Sequence, residues 1–196
     1  MIIISSSNKG KIKEFKELLA SKFEIKSMDE IGLGDLKIVE DGESLRENSY
    51  IKAKAVFDLT KENTLSDDTG LFIDALGGEP GIYSRRYAGE DVPFDMNIDK
   101  VLERLKNIKE EDRTAEFRTV ISFIDKNTGD VKFFEGFSRG KISLERKGDN
   151  GFGYDSIFIP EGYSLTWAQM TEEEKNKMSH RKKALDKLVE YLLWEY

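Results

Sequence analysis

Two adjacent carboxylates in the segment Ser66-Asp67-Asp68-Thr69-Gly70-Leu71 constrain this chain more than any other feature. Neighbouring side chains of a strand point to opposite faces, so Asp67 and Asp68 share a face only if the chain bends between them. Such a bend would direct one acid into a cleft, where a hard divalent cation prefers oxygen ligands, and Gly70 would let the backbone approach a ligand. A capped turn explains the same residues equally well, because Asp, Thr and Gly are ordinary turn residues.

Length and the start of the chain restrict the class of protein. The 196 residues are about the size of one domain and can bury a full hydrophobic core, so we predict a single domain over residues 1–196. The first five residues, MIIIS, contain no basic segment and no long apolar stretch. We therefore expect a cytoplasmic protein that does not enter a membrane.

Composition restricts the ligands. The sequence has no cysteine and a single histidine, His180, so a catalytic metal would be bound by carboxylates. The net charge of -7 argues against binding to a nucleic acid polymer, whose phosphates repel an acidic protein. The 31 Lys and Arg residues still permit a local basic pocket, which favours a small anionic ligand.

Strand and helix patterns alternate along the chain, which predicts an α/β fold with a mixed sheet flanked by helices. Asn127-Thr128-Gly129-Asp130 separates two runs rich in β-branched and aromatic residues and predicts a hairpin. The predicted strands cover 1–5, 71–75, 117–125, 131–138 and 157–159. The predicted helices begin after Asn8, run over 44–60 and 95–105, and include 184–193.

The segment Ser6-Ser7-Asn8-Lys9-Gly10-Lys11 follows the first predicted strand and opens a helix. Free N–H groups at a helix start and the helix dipole attract phosphate, and Lys9 or Lys11 would add a full positive charge. The glycine spacing differs from that of a Walker loop. An ordinary N-cap followed by two solvated lysines is the alternative interpretation.

Asn48 and Lys52 lie four residues apart on the second predicted helix and therefore share one face. Lys52 would neutralise a phosphate if that face lined a cleft. The alternative is a solvated helix face, on which Glu47 only completes a capping box with Ser44.

Two further segments contain groups suited to a nucleobase. Gly151-Phe152-Gly153-Tyr154-Asp155 combines rings that stack on a base with a carboxylate that accepts hydrogen bonds from its edge. A tight turn with core aromatic residues explains this segment equally well. Lys175 and the run Ser179-His180-Arg181 would supply donors to a keto oxygen, with an ordinary surface histidine as the alternative.

In their order along the chain and in their residue patterns, these segments resemble the inosine triphosphate pyrophosphatase family, and the resemblance covers nearly the whole chain. The family pattern Thr/Ser-x-Asn-x-x-Lys matches Ser6, Asn8 and Lys11, and the acidic Asp-Ser-Gly-Leu block matches 67–71. The Leu-Gly-Gly-x-Pro-Gly turn matches 76–81. The remaining matches are Ser84, Arg86 and Tyr87, Gly151-Phe152-Gly153-Tyr154-Asp155, Glu174-Lys175-Asn176 and Ser179-His180-Arg181.

This resemblance implies a fold, a reaction and an assembly. The fold would be a long, mixed and twisted β-sheet flanked by helices, in two lobes with a substrate cleft between them. The reaction would be hydrolysis of non-standard purine nucleoside triphosphates (ITP, dITP, XTP) between the α- and β-phosphates, giving the monophosphate and pyrophosphate. Mg²⁺ would be the cofactor, and the protein would be a homodimer.

The resemblance also implies a role for each site residue. The catalytic set would be Asp67, Asp68 and Lys52, of which Asp68 would activate water and bind the metal. Glu40 would be the second metal ligand, with Asp41 as the alternative. The triphosphate would contact Ser6, Ser7, Asn8, Lys9, Gly10, Lys11 and Thr69. Phe152 would stack on the base, with Asp155, Lys175, His180 and Arg181 around the base edge and the phosphates, and Gly153 and Tyr154 would also contact the substrate.

Hydrogen-bond chemistry is consistent with that choice of base. Donors such as His180 and Arg181 satisfy a 6-keto oxygen but face the 6-amino group of adenine, and each unsatisfied group costs about 1 to 3 kcal/mol. The chain departs from the family pattern at Thr69, where Ser is usual, at Ser156, where Pro is usual, and at Asp149-Asn150, where Thr-Gly is usual. Two alternative functions are a pyrophosphatase of the septum-formation-inhibitor type and a nucleotide sensor that binds without hydrolysis.

Overall fold

The computed structural model of the protein describes residues 1–195, which form a seven-stranded mixed sheet with helices. The strands are β1 (Ile2–Ile4), β2 (Ile25–Ser27), β3 (Asn63–Ile73), β4 (Pro80–Gly81), β5 (Thr114–Ile124), β6 (Val131–Ile142) and β7 (Phe158–Pro160). The helices are α1 (Lys9–Leu19), α2 (Leu45–Thr60), α3 (Phe94–Leu105), α4 (Glu172–Asn176) and α5 (His180–Glu195). None of the helices in this described part of the chain is long and apolar enough to cross a membrane.

The strand order is β2-β1-β3-β5-β6-β7, with β4 paired to β3. β1 is parallel to both neighbours, so that Ile4 lies opposite Ser27 on β2 and Leu65 on β3. β4 is antiparallel to β3, and β7 is antiparallel to β6. β5 and β6 are neighbours joined through 125–130, where Asp125 N–H donates to the Asp130 carbonyl oxygen, as the hairpin prediction requires. The predicted mixed α/β fold is confirmed.

Asp67 and Asp68 lie inside an uninterrupted strand, so both the predicted bend and the alternative of a capped turn are wrong. The two carboxylates point to opposite faces of β3, where each meets its own cations, and no bend is needed to accommodate them. β3 also contains most of the separate strand predicted over 71–75, and it ends at Ile73. Gly70 is required because a Cβ there would lie 2.5 Å from the Gly81 carbonyl oxygen of the paired β4.

The chain divides into two compact units, in line with the two lobes that the family resemblance implies. Unit 1 contains residues 1–68 and 119–136 and the chain from 181 onward, and unit 2 contains 69–118 and 137–180. The substrate cleft stays a prediction, as does the single domain over 1–196, whose last residue lies outside the described chain.

Each unit has its own core. In unit 1 the alternation of β1 produces two apolar faces: Ile2 and Ile4 pack with residues of α1 and α5, whereas Ile3 packs with Met28 and with Val56 of α2. In unit 2 the apolar face of α3 packs with the ends of β3 and β5 and with aromatic residues of the 150–170 region. The strands that bear the candidate site residues are therefore fixed by buried packing on their faces.

β6 extends further than its sequence pattern predicts. It continues past the predicted end at Ser138 to Ile142, through the polar run Arg139-Gly140-Lys141. A Cβ at Gly140 would lie 2.2 Å from the Ile159 carbonyl oxygen on the paired β7, so glycine is required inside this strand. The sequence does not predict β2 and β4, because they are too short to produce a periodic pattern.

Glu30 is expected to make the stability of unit 1 depend on pH in acid. Its carboxylate accepts hydrogen bonds from Lys16 Nζ and from the Ser27 backbone N–H, both at 2.7 Å. These bonds lower its pKa from 4.5 to about 2. Since the folded-state pKa lies below that of the unfolded chain, the stabilisation is complete above about pH 4.5 and is lost as the pH falls toward about 2.

We therefore expect Glu30→Gln to lower the urea midpoint of unfolding at about pH 6 and to converge with the wild type near pH 2. Glu17→Gln is the matched control, because Glu17 belongs to an exposed helix pair with Lys13, and such pairs contribute little. A difference between Glu30→Gln and the wild type that stays constant over this pH range would contradict the prediction.

Candidate active site

Asp67 is the centre of a buried ion-pair cluster in unit 1. Its Oδ2 atom lies 3.0 Å from Lys11 Nζ and 3.2 Å from Arg181 Nε, and the Arg181 guanidinium also pairs with Glu14. Lys11 and Glu14 lie three residues apart and so share one face of α1. Because Asp67 and Arg181 are both buried, the cluster ties β3 to α1 and to the first turn of α5.

Asp68 points to the other face of β3 and meets α2. Its Oδ1 atom lies 3.3 Å from Lys52 Nζ, and the same ammonium lies 2.7 Å from Glu40 Oε2. One lysine thus bridges Asp68 and the acid predicted as the second metal ligand. Asp68 is 9% exposed whereas Asp67 is 1% exposed, so Asp68 is the acid that a water molecule or a substrate reaches more easily.

The two neighbouring carboxyl groups have pKa values shifted in opposite directions. Burial alone would raise the pKa of Asp67, but the charges of Lys11 and Arg181 outweigh it and hold the pKa far below its ordinary value. Burial raises the pKa of Asp68, and the opposing charges of Lys52 and Lys11 do not cancel that rise. Asp67 is therefore a permanent anion, while Asp68 is the better proton acceptor of the pair.

The first turn of α1 contains the predicted anion-binding segment. Asn8 is the N-cap: its Oδ1 accepts a hydrogen bond from Lys11 N–H at 3.1 Å, and its own N–H donates to Ser6 Oγ at 3.2 Å. The other residues of the segment are exposed or partly buried: Ser7, Lys9 and Gly10. The helix end is thus capped and at least partly open to solvent, which is the arrangement that binds phosphate.

Asp68 and Glu40 have the donor chemistry of a magnesium site. Mg²⁺ binds oxygen ligands and usually takes one or two carboxylates from the protein, with the rest of its ligands from substrate phosphates and water. Two carboxylates that already share one ammonium fit that pattern. In residues 1–195 no cluster of three or more His, Asp or Glu side chains forms a complete metal cage.

A second cluster, in unit 2, contains residues predicted to contact the base. Asp155 is buried, and its Oδ2 accepts hydrogen bonds from the Phe152 backbone N–H at 2.9 Å and from Lys175 Nζ at 2.7 Å. The ammonium lies 4.9 Å from the centroid of the Phe152 ring and 5.5 Å from that of Trp167. Gly151 has φ +76°, and a Cβ there would lie 2.1 Å from Asp155 Oδ2, so glycine lets the carboxylate bind back onto its own loop.

His180 lies in a buried aromatic stack, which excludes the surface position that was its alternative interpretation. Its ring is nearly parallel to that of Phe117, at 4.8 Å and 7°, and lies 5.4 Å from the ring of Trp167. Trp167 stacks on Phe117 in turn, at 5.1 Å. The two ring contacts hold the orientation of the imidazole.

Two further predicted residues, Tyr154 and Thr69, lie on the elements that contain these clusters. The Tyr154 hydroxyl donates to the Ser84 carbonyl oxygen at 2.8 Å, and its ring packs edge-on against Phe94. Tyr154 therefore holds the loop around Gly153, which has φ +65°. Thr69 is the partly buried residue that follows Asp68 on β3.

The structure thus separates the predicted residues into two groups. Unit 1 contains the helix end, Lys52 and the acids, and unit 2 contains Phe152, Asp155, Lys175 and His180. Arg181, predicted to lie around the base edge and the phosphates, has its buried guanidinium paired with Glu14 and Asp67 of unit 1, and its contact with a substrate stays a prediction.

The sequence did not predict Glu14 or Trp167. A signal existed for both. Glu14 follows Lys11 by three residues, which places it on the same helix face. Trp167 lies inside Thr166-Trp167-Ala168-Gln169, which has capping-box spacing, and Gln169 Oε1 accepts a hydrogen bond from Thr166 N–H at 3.1 Å.

Comparison with known proteins assigns the chain to a family. The Ham1 family model matches residues 2–191, and the chain belongs to the Ham1 family. Relatives with an assigned activity cover almost the whole chain. The dITP/XTP pyrophosphatase of Bacillus subtilis (strain 168) is 46% identical over 191 residues, which are 97% of this chain and 96% of that one. The dITP/XTP pyrophosphatase of Oceanobacillus iheyensis is 42% identical over 193 residues, which are 97% of each chain.

Solved structures are similar along the full length. The Ham1 protein of Staphylococcus aureus has a TM-score of 0.88 and 38% identity, covering 100% of this chain and 99% of that chain. A nucleoside-triphosphatase / dITP/XTP pyrophosphatase from Mycobacterium abscessus has a TM-score of 0.75 and 34% identity, covering 96% and 98%. The family resemblance predicted from the motifs is confirmed.

Proposed function

We propose that this chain hydrolyses non-standard purine nucleoside triphosphates (dITP, XTP and ITP) to the nucleoside monophosphate and pyrophosphate, and so removes them from the nucleotide pool. The observation that carries the proposal is the pair of adjacent acids on β3, with Asp67 bound to Lys11 and Asp68 to Lys52. The names of full-length relatives that are 46% and 42% identical support the same substrate class.

The unit 1 cluster supplies what hydrolysis of a phosphoanhydride requires, namely positioning and neutralisation of charge. Lys52 and the α1 segment from Ser6 to Lys11 contact the phosphates. Thr69, which directly follows Asp68 on β3 and is the first residue of unit 2, is proposed as a further phosphate contact. Asp68 accepts a proton from water as the water adds across the anhydride between the α- and β-phosphates. Asp67 acts indirectly, since its charge holds Lys11 in place.

Mg²⁺ is the cofactor that these residues fit. Asp68 and Glu40 would hold it, and when bound it would neutralise phosphate charge and polarise the phosphoryl oxygens. Asp41 is the alternative second ligand in the sequence. The ammonium of Lys52, which contacts both Asp68 and Glu40, stays close to the phosphates in either case.

The unit 2 cluster binds the base. Phe152 stacks on the heterocycle, and Lys175, which Asp155 fixes through a 2.7 Å contact, donates to a keto oxygen at the base edge. His180 is held by its aromatic stack as a second donor. An adenine presents an amino group to these donors and is disfavoured.

Phe152→Leu is expected to raise KM for dITP roughly 5- to 150-fold, because stacking of a base on an aromatic ring contributes about 1 to 3 kcal/mol. The value of kcat should change little, since Phe152 lies in the other unit from the proposed general base. Steady-state pyrophosphate release measures both constants. Phe137→Leu is the matched control, because Phe137 is half exposed on β6. Equal KM values for the two variants would exclude the stacking role.

The proposed function is tested by pyrophosphate release from a panel of nucleotides in Mg²⁺. We expect dITP, XTP and ITP to be hydrolysed with kcat/KM at least about 100-fold above dATP, as for sites that leave a buried polar group unpaired with the wrong substrate. Faster turnover of modified pyrimidine nucleotides would favour the septum-formation-inhibitor type. Stoichiometric binding of dITP without release of pyrophosphate would favour a sensor.

Two further properties complete the proposal. We expect the enzyme to act in the cytoplasm, where nucleotide pools are used, and to form the homodimer that the family resemblance implies. Light scattering of the purified chain measures the second property directly.

A further inference from the structure

Two buried serines connect the backbone at Lys52 to the sheet. Ser66 Oγ donates to the Ser5 carbonyl oxygen at 2.9 Å, and Ser5 Oγ donates to the Lys52 carbonyl oxygen at 2.7 Å. The Lys52 ammonium then contacts Asp68, which lies two residues after Ser66 on β3. These contacts form a closed ring that runs from β3 through the end of β1 to α2 and back to β3.

Burial and pairing make this ring rigid. Ser5 and Ser66 are both 0% exposed, so neither hydroxyl can exchange its protein partner for bulk water without a large change of structure. The Ser5 N–H donates to the Leu65 carbonyl oxygen at 2.8 Å, which fixes the backbone of Ser5 against β3. The Ser5 hydroxyl that bonds to α2 is therefore attached to a backbone that is fixed against β3.

The hydroxyls of Ser49 and Thr60, which lie on α2, do not connect the helix to the sheet. Ser49 Oγ donates to the Arg46 carbonyl oxygen and Thr60 Oγ1 to the Val56 carbonyl oxygen, both within the helix itself. Lys52 lies inside α2, where the helix's own backbone hydrogen bonds already maintain the helical conformation. The additional bond from Ser5 therefore serves the placement of the helix rather than its formation.

We propose that Ser5 and Ser66 are positioning residues that fix the α2 backbone at Lys52, and thereby place the Lys52 ammonium for the reaction. The inference rests on the proposed function, in which Lys52 contacts the phosphates. A lysine side chain is long and flexible, so a fixed starting point for its stem limits where the ammonium can lie. Misplacement of a reacting group by about 1 Å can cost roughly 100-fold in rate.

The test is steady-state hydrolysis of dITP in Mg²⁺ by Ser5→Ala, with Ser122→Ala as the matched control. Ser122 lies on β5, is also 0% exposed, and its hydroxyl has no hydrogen-bond partner within residues 1–195. We expect Ser5→Ala to lower kcat about tenfold with KM within about twofold, because ground-state binding persists while placement is lost. Ser66→Ala should lower kcat in the same direction, and Ser122→Ala should retain wild-type constants.

A double-variant cycle separates placement of Lys52 from general damage. In a Lys52→Met background, Ser5→Ala should cause no further fall in kcat, because the group that it positions is gone. Wild-type kcat in Ser5→Ala overturns the proposal, as does an equal fall in Ser5→Ala and Ser122→Ala or a tenfold fall that persists in the Lys52→Met background. If Lys52→Met itself turns over dITP at the wild-type rate, the proposed role of Lys52 fails instead, which is a separate result.

Discussion

Replacing Asp68 by Asn is expected to lower kcat for dITP by a factor of about 10² to 10⁴, the range attributed to a positioned general base. Asparagine keeps the size of the side chain and an oxygen that can accept a hydrogen bond from Lys52, 3.3 Å away in the wild type. It loses the ability to take a proton from water. Pyrophosphate release measures the loss of turnover, and calorimetric titration with dITP should show that the nucleotide still binds.

Asp58→Asn is the control for this variant. Asp58 lies on α2 in the same unit and also contacts lysine, but its side chain is 48% exposed and belongs to no predicted site. Its replacement removes the same charge from unit 1 without touching the cluster. Release of pyrophosphate by Asp68→Asn at a rate close to that of Asp58→Asn would show that another group accepts the proton.

The neighbouring replacement, Asp67→Asn, is expected to act mainly on stability. It removes the buried anion that Lys11 and Arg181 share, and breaking a buried ion pair by removing one partner costs about 3 to 5 kcal/mol. The cost arises because the remaining cations stay buried with less compensation. Equilibrium unfolding in urea, with pyrophosphate release measured well below the midpoint, separates this loss from an effect on turnover.

The same Asp58→Asn variant is the matched comparison for stability. Asp58 contacts two lysines, Lys54 at 2.6 Å and Lys61 at 3.4 Å, and so is also an aspartate paired with cations. Because Asp58 is half exposed and its ion pairs are screened by solvent, its replacement should destabilise the chain much less than Asp67→Asn does. If Asp67→Asn is as stable as Asp58→Asn but turns over slowly, Asp67 takes a direct part in the reaction.

Features that depend on residues within one helical turn could be predicted from the sequence. Asn8 and Ser44 each cap a helix in the structure, as the sequence predicted, since capping depends only on the next three residues. Lys11 and Asp67 were selected for a related reason, because each lies in a short motif of neighbouring residues. The structure brings the two side chains to 3.0 Å of each other, and their contact with phosphate stays a prediction.

Partners that are distant in the chain could not be predicted. Arg181 and Asp67 are 114 residues apart, and only packing of α5 against β3 brings them together, so the ion pair between them was not predicted. The hydrogen bonds of Asp155 Oδ2 with Lys175 and with the Phe152 backbone were not predicted either. A bend between Asp67 and Asp68 was predicted because both acids were assumed to share one ligand. In the structure the two acids pair with separate cations on the two faces of β3, so no bend is required.

Because side chains alternate between the two faces of β3, the packing of the hydrophobic core also fixes which acid lies on which face. Ile4 of β1 lies opposite Leu65, two residues before Asp67. If β3 slipped by one position against β1, Leu65 would leave the apolar face and the two acids would exchange surroundings. A chain paired in the wrong register would lose buried apolar contacts and would also place the wrong carboxylate before Lys52. The register that packs the core is therefore the register that places Asp68 beside Lys52.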